Sequence, residues 1–295
     1  NILPLEGDLT REFFGLNATL YKDLTSKIDV IINCASLVKH FGTYNLFYNS
    51  NVLTVKNLIE FAKESNATLN HISTTSVSGN FLVKNDITFD YTENDFYIGQ
   101  NYKDNVYVQT KFEAENLIYK EQKNGLNANV FRIGNIMPRL SDSKFQINKM
   151  DNAYYKRVLG FLKLKVLPNN LKGLQLEFTP VDSCAEAIVK LLPYNNKVFH
   201  ILNPNTIDIS KLFEVAKKQN MNVNFVSEDE FSEYIHNLKD DSLLDSFITD
   251  LDDKKELNYD TKITINNNLT NKYLHTLGFN WPTIDENYLE KFLKI

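Results

Sequence analysis

Through the first half of the chain, short runs rich in β-branched apolar residues alternate with segments whose apolar residues recur at helical spacing. Lys27–Ala35 has the pattern of a strand buried on both faces. Between Asn51 and Lys63, Val52, Val55, Leu58, Ile59 and Ala62 fall on one side of a helix. Thr68–Ser73 is the next predicted strand, and Tyr107–Tyr119 the next helix, with Phe112, Ala114, Leu117 and Ile118 on its buried side. Ala128–Asn135 is a further strand. Strands joined by crossover helices predict a parallel, doubly wound α/β sheet, because short connections and a fixed crossover hand leave few other solutions.

The second half changes character. Ser141–Lys172 is weakly patterned, and it reads either as the lining of a substrate tunnel or as an ordinary surface excursion. Leu176–Asp182 is a short extended piece. Ser183 is expected to cap a helix through Leu192, ended by Pro193, and Ser210 to cap another over Lys211–Gln219. Val198–Leu202 and Val223–Val226 have strand patterns. Ser227–Glu256 is acidic and helical in pattern, with Phe231, Ile235, Leu238, Leu243, Leu244, Phe247 and Leu251 on its apolar side and the acidic residues on a solvated one. A last helix follows the turn at Gly278–Pro282. No internal repeat is present.

A formal net charge of -5 with no basic stripe argues against nucleic-acid or anionic-membrane binding. No apolar run approaches membrane-spanning length. The first residues carry no Met and no signal-peptide core, as though the chain began inside a larger protein. The 2 cysteines, Cys34 and Cys184, lie in apolar segments and are expected as buried free thiols. The 5 histidines show no metal-ligand spacing, so no metal is expected. Asn17, Asn66 and Asn268 each begin a glycosylation triplet, which an Asn-rich chain contains by chance.

The chemistry centres on Tyr107 and Lys111. One helical turn apart, they place both polar tips on one face. A cation there favours the phenolate and eases movement of the phenol's proton. A hydroxyl from the Ser/Thr-rich strand end His71–Ser76 would complete a site for reducing a carbonyl. The spacing alone is not diagnostic, since Tyr119 and Lys123 repeat it in the polar end of the same helix, where they read as solvated surface. What distinguishes Tyr107 is position: it follows a loop, opens the helix and comes after the strand end. Bland roles exist for the neighbours: Thr74 and Thr75 are good strand residues, Asn33 could cap a strand, Asp8 could cap a helix, and Gly134 could allow close packing. His40 and His71 are expected to be packed or exposed rather than catalytic.

Several segments together resemble the extended short-chain dehydrogenase/reductases. Leu5–Leu9 is similar to that family's third strand, whose aspartate contacts the adenine, which points to Asp8 and Leu9. Asn33–Ser36 resembles the fourth-strand end lying along the cofactor, with Asn33, Ala35 and Ser36, and Asn51 matches an asparagine of the following helix. Ile72–Gly79 resembles the strand carrying the catalytic Ser/Thr; alignment on Val77 and Gly79 gives that role to Thr74 ahead of Thr75 and Ser76. Tyr107 and Lys111 match the catalytic pair. Phe131–Arg139 and Phe178–Ile188 resemble the thioester reductase branch, whose domains terminate nonribosomal peptide synthetases, fungal aminoadipate reductases and carboxylic acid reductases. The first of these segments adds Ile133, Gly134 and Asn135 to the cofactor-binding set.

The resemblance covers nearly the whole chain. It implies a Rossmann-like domain over 1–140 with its N-terminal strands missing. A smaller α+β subdomain over 141–295, facing substrate and carrier, would follow, with 176–205 returning to the core. It implies NADPH as cofactor and an upstream peptidyl or acyl carrier protein as partner, in a monomeric domain of a larger cytoplasmic synthetase. The reaction would be reductive release of a phosphopantetheine-bound thioester as an aldehyde. Thr74 would hold the carbonyl oxygen, Tyr107 would donate the proton, and Lys111 would lower the tyrosine's pKa and hold the nicotinamide ribose. One departure stands out. The Gly-rich turn that grips pyrophosphate in such sheets has no counterpart here, and its strands are expected upstream of Asn1. The rival readings are a nucleotide-sugar epimerase or dehydratase on the same fold, and a non-catalytic dinucleotide-binding relative.

Overall fold

The computed structural model describes residues 2–38, 42–79, 88–237 and 263–294. They divide into two compact units. The described residues of Asn1–Ile133, Ala187–Ile201 and Lys262–Gly278 form the first, and those of Gly134–Glu186, Leu202–Thr261 and Phe279–Ile295 the second.

The first unit is built on four parallel strands, β1 (Val30–Asn33), β2 (Thr68–Thr74), β4 (Ala128–Ile133) and β9 (Val198–Ile201), in the order β1-β2-β4-β9. Register places Asn33 beside His71 and Ile72 beside Phe131. The crossovers are helical. After β1 come the short α2 (Tyr44–Phe47), a π-helical turn over Tyr48–Leu53 and α3 (Thr54–Ser65); β2 is followed by α4 (Val106–Gln122). Asn66 stops α3 in the left-handed conformation, φ +57°, which asparagine tolerates better than most residues. Val55, Leu58, Ile59 and Ala62 from α3 and Ala114 and Ile118 from α4 meet Leu69, Ala128 and Val130 of the sheet, with Phe14 and with Tyr21 of α1 (Ala18–Thr25). A parallel α/β sheet of Rossmann-like type is the fold expected from the sequence. A further pair, β3 (Phe89–Tyr91) with β12 (Ile263–Ile265), and the helix α9 (Asn268–Thr276) complete this unit.

Two sequence expectations fail here. β1 is not buried on both faces: it is the sheet's edge among the described strands, and Val30 and Ile32 are 49% and 44% exposed. Leu5–Leu9 is not a strand. Among the described residues no ladder partner lies beside it; Asp8 N–H donates to Phe14 O (2.7 Å), Thr10 N–H to Asp8 Oδ1 (2.9 Å), and Asn57 Nδ2 to Leu9 O (2.8 Å).

Arg132, in mid-sheet on β4, is the largest wholly buried side chain among the described residues. Its guanidinium pairs with Glu115 of α4 (Nη2 to Oε2, 2.9 Å), and neither side chain has any exposure. The fork is filled by Asp95 O, the Tyr119 hydroxyl and His200 Nε2. The Tyr91 ring lies under the guanidinium carbon at 5.0 Å. Tyr119 is therefore not solvated surface, as the sequence suggested; its hydroxyl accepts from Arg132 and donates to Glu115. His200 accepts from Arg132 at Nε2 and donates from Nδ1 to Asn266 O (2.8 Å), which makes it a neutral imidazole.

In the second unit, paired strands β5 (Ile136–Met137) with β8 (Thr179–Pro180), β6 (Val166–Pro168) with β11 (Asn224–Val226), and β7 (Gln175–Leu176) with β10 (Ile207–Asp208) surround an apolar core. Tyr155, Phe161 and Leu164 of α5 (Ala153–Leu164), Leu212 of α7 (Ile209–Lys218) and Leu289 and Phe292 of α10 (Glu286–Phe292) supply most of it. Two predicted caps move. α6 (Val181–Leu191) starts before Ser183, and α7 is capped by Asp208, whose carboxylate accepts from Ser210 N–H (2.8 Å). Ser227 caps α8 (Glu228–His236), in a reciprocal box with Glu230 that the sequence reading did not single out, and Phe231 and Ile235 are buried. Leu238, Leu243, Leu244, Phe247 and Leu251 lie outside the described residues.

Replacing Glu115 by Ala strands the buried Arg132 charge, and urea unfolding should show a loss of about 3–5 kcal/mol. The same network sets a pH response. Burial, with Arg132 adding to it, pushes His200 down to about 3. The folded state thus binds this proton less readily than the unfolded chain, whose histidines titrate near 6.5. Stability from this group is complete above about pH 6.5 and drains away as pH falls toward 3. Urea midpoints across that window should fall less steeply in a His200→Gln variant.

Candidate active site

The site is assembled where β2 ends. Thr74 leaves the strand as the cap of a tight turn over Thr75–Ser78, its hydroxyl oxygen accepting from Ser76 N–H (3.2 Å). Gly79 follows at φ +64°, and a Cβ there would lie 3.0 Å from Gln100 side-chain atoms. On the other side, Asn105 caps α4 by accepting from Tyr107 and Val108 N–H, which fixes Tyr107 in the first turn and Lys111 one turn later. The two elements converge. The Tyr107 hydroxyl hydrogen-bonds the Thr74 side chain. Lys111, 2% exposed, donates from Nζ to Ile72 O at 2.6 Å.

The protonation pattern differs from the sequence expectation. Burial pushes the Tyr107 phenol up to about 12, opposed by the bond from Thr74. Burial also pushes Lys111 down, to about 8, against the attraction of Glu115 and Cys34. At neutral pH the tyrosine is a protonated donor.

The proposed cofactor residues separate into groups. Asn33 is buried and both ends of its amide are used: Oδ1 accepts from Ala35 N–H (3.1 Å) and Nδ2 meets His71 Nδ1 (3.1 Å). Ala35 and Cys34 above it are exposed, which corrects the expectation of a buried Cys34 thiol; Cys184 is buried. Asn51, inside the π-turn, accepts from the Ser36 hydroxyl and Leu37 N–H and donates to Leu37 O and Thr110 Oγ1. It ties the loop after β1 to the helix carrying Tyr107 and Lys111. Irregular π-turns of this kind recur at functional sites. Ile133 closes β4 beside Thr74 in register. Asp8 and Leu9 stand apart. Asp8 is exposed, held low by the hydrogen bonds from Thr10, and Leu9 packs against the apolar core.

Gly134 and Asn135 belong to the second unit. There Asn135 donates from its backbone N–H (2.8 Å) and Nδ2 (2.9 Å) to the two Glu177 oxygens, and Thr179 Oγ1 donates to Oε1 (2.7 Å). Burial raises the Glu177 carboxyl, and these three donors counter it. Glu177 was not singled out from the sequence, and neither was Glu115; nothing in composition or spacing marks either. Of the two histidines, His71 is packed beneath the site, and His40 lies outside the described residues. Among the described residues no group of three or more His, Cys, Asp or Glu is arranged to hold a metal ion. None of their helices is long and apolar enough to cross a membrane.

Residues 1–188 match the family model described as Male sterility protein, an NAD-binding domain. The chain belongs to this family. It is an NAD(P)-binding domain of an oxidoreductase family, and the proteins it matches include reductases and nonribosomal peptide synthetases. Glycine betaine reductase ATRR of Emericella nidulans is 28% identical over 222 residues, 73% of this chain and 17% of that protein. A linear gramicidin synthase polypeptide of Brevibacillus parabrevis is 25% identical over 253 residues, 83% of this chain and 5% of that one. The chain thus spans a small part of the curated relatives it matches. Among solved structures, a thiolation-reductase di-domain of an archaeal nonribosomal peptide synthetase superposes with TM-score 0.86 at 26% identity, covering 99% of this chain and 61% of that one. The reductase domain of the aureusimine biosynthetic cluster gives TM-score 0.73 at 25% identity, covering 90% and 67%.

Gly134 offers a direct check on the packing at Asn135. A Cβ there would overlap the Glu177 carboxylate and lie 2.8 Å from Leu202 Cβ. Gly134→Ala should therefore lower thermal stability by about 1–3 kcal/mol, measured by calorimetry.

Proposed function

We propose that this domain performs the NADPH-dependent reductive release of an acyl or peptidyl thioester from the phosphopantetheine arm of a carrier protein, giving an aldehyde. The observation that carries the proposal is the Thr74–Tyr107 hydrogen bond with Lys111 one turn behind, at the end of a parallel strand. The relatives support the substrate class: the archaeal di-domain pairs a thiolation domain with a reductase in a nonribosomal peptide synthetase, and a further relative is a nonribosomal peptide synthetase of Aspergillus flavus.

The residues present fit a nicotinamide cofactor. The exposed residues Cys34 and Ala35 would line it, and Lys111 would hold the nicotinamide ribose through an N–H not used by Ile72 O. NADPH, when bound, supplies the hydride. Thr74 donates a hydrogen bond to the thioester oxygen, where negative charge develops. Tyr107, kept protonated by its raised pKa, donates a proton to the same oxygen. The neutral hemithioacetal then breaks its C–S bond: the hydroxyl proton leaves oxygen, the carrier sulfur leaves as the thiol, and the aldehyde is released. Thr74 turns from Tyr107 to the substrate oxygen in this scheme, which needs only rotation of its hydroxyl.

In the full natural polypeptide, Tyr107→Phe should cut single-turnover reduction by about 10²–10⁴-fold with cofactor affinity nearly unchanged. Undiminished single-turnover reduction in that variant contradicts the role given to Tyr107.

A further inference from the structure

Beneath Lys111 lies a buried histidine whose tautomer is fixed by its surroundings. Asn33 and His71 are register partners on β1 and β2, and their side chains meet at 3.1 Å, Asn33 Nδ2 against His71 Nδ1. Which end of the amide faces the ring is settled by a second bond, since Asn33 Oδ1 accepts Ala35 N–H. An imidazole nitrogen that faces an N–H donor must present its lone pair. A neutral ring accepting at Nδ1 carries its proton on Nε2. That nitrogen is 3.5 Å from Lys111 Nζ.

The consequence is directional. An ammonium at Lys111 would face an N–H with its own N–H, two donors in opposition, while it keeps its bond to Ile72 O. A neutral amine keeps the Ile72 bond and also accepts from His71 Nε2–H. Resting on the reading of Lys111 as partner to Tyr107, we infer that His71, locked by Asn33, is a positioning residue that stabilises the neutral amine of Lys111 over its ammonium.

Other charged or titratable groups act on the lysine. Glu115, one turn along α4, and Cys34, at the end of β1, both favour the ammonium. Glu115 instead accepts from Arg132, Ser73 and Tyr119, while Lys111 Nζ bonds Ile72 O. Tyr107, on the preceding turn of α4, bonds Thr74. His71 itself is kept neutral by burial and by Lys111. The arrangement also reaches outward. Asn33 bonds the backbone of Ala35 in the exposed segment after β1, so a ligand that moves this segment would shift the ring and, through it, the lysine's proton.

The test is the titration of Lys111 in the full natural polypeptide, by competitive acetylation across pH with mass-spectrometric readout of the labelled lysine, which needs no substrate. The wild-type midpoint is expected near 8. His71→Gln can offer the ammonium a side-chain oxygen. Asn33→Ala keeps the ring but frees Nδ1 to take the proton, leaving a lone pair at Nε2. Both should move the midpoint up by about one pH unit, a tenfold drop in neutral amine at a given pH. The basic shift should reappear in the pH profile of kcat/KM. A midpoint unmoved in both variants, or moved down in Asn33→Ala, overturns the inference. Shifted labelling with an unchanged kcat/KM profile would uphold the His71–Lys111 coupling and instead contradict Lys111's part in the proposed reaction.

Discussion

A guanidinium with no exposure in the middle of a parallel sheet must find all its partners inside the protein, and the position of the candidate site follows from where it finds them. Arg132 draws Glu115 onto β4, and Glu115 also accepts the Ser73 hydroxyl. One carboxylate thus fixes α4 against both β4 and the end of β2. Lys111 sits one turn before Glu115 on that helix, and Thr74 directly follows Ser73. The Thr74–Tyr107–Lys111 geometry is held by a buried ion pair that itself touches no reacting group. Such a pair adds little net stability over an apolar substitute, but losing one partner is costly, which suits it to specifying register.

Burial governs the chemistry in the same way. The site sits on strand ends and a first helical turn whose polar groups are mostly used by one another: Asn33 by His71 and Ala35, Asn51 by the loop and Thr110. With no anion among the described residues bonded directly to Lys111, burial is the largest influence on both groups, raising the phenol and lowering the amine. A protonated tyrosine is the form that reduction of a carbonyl consumes. In the proposed reaction the raised pKa keeps Tyr107 in its donor form.

Much of this was legible in the sequence. Alternating strand and helix periods are local signals, and they located β1, β2, α4, β4 and β9 to within about three residues at each end. The Tyr107–Lys111 pair was distinguishable from Tyr119–Lys123 by its place at a helix start after a Ser/Thr strand end. What was not legible depends on long-range partners. Tyr119 looks like surface until Arg132, on another strand, is brought against it. Leu5–Leu9 resembles a strand, but a strand exists only with a neighbour to pair with. Asp208 displaced Ser210 as a cap because β10 delivers the chain into α7 earlier than the helical period indicated. Glu177 carries no local mark at all; only the fold places its carboxylate where Gly134 leaves room for it.

Hydride transfer to a carrier-bound thioester carbonyl is the reaction proposed for this site. It is tested most directly by supplying the full natural polypeptide with a carrier-linked acyl thioester and NADPH deuterated at nicotinamide C4. An aldehyde bearing one deuterium on the former carbonyl carbon is expected, with the carrier thiol freed in step. Release of an undeuterated acid, or cofactor oxidation without thiol release, would contradict it.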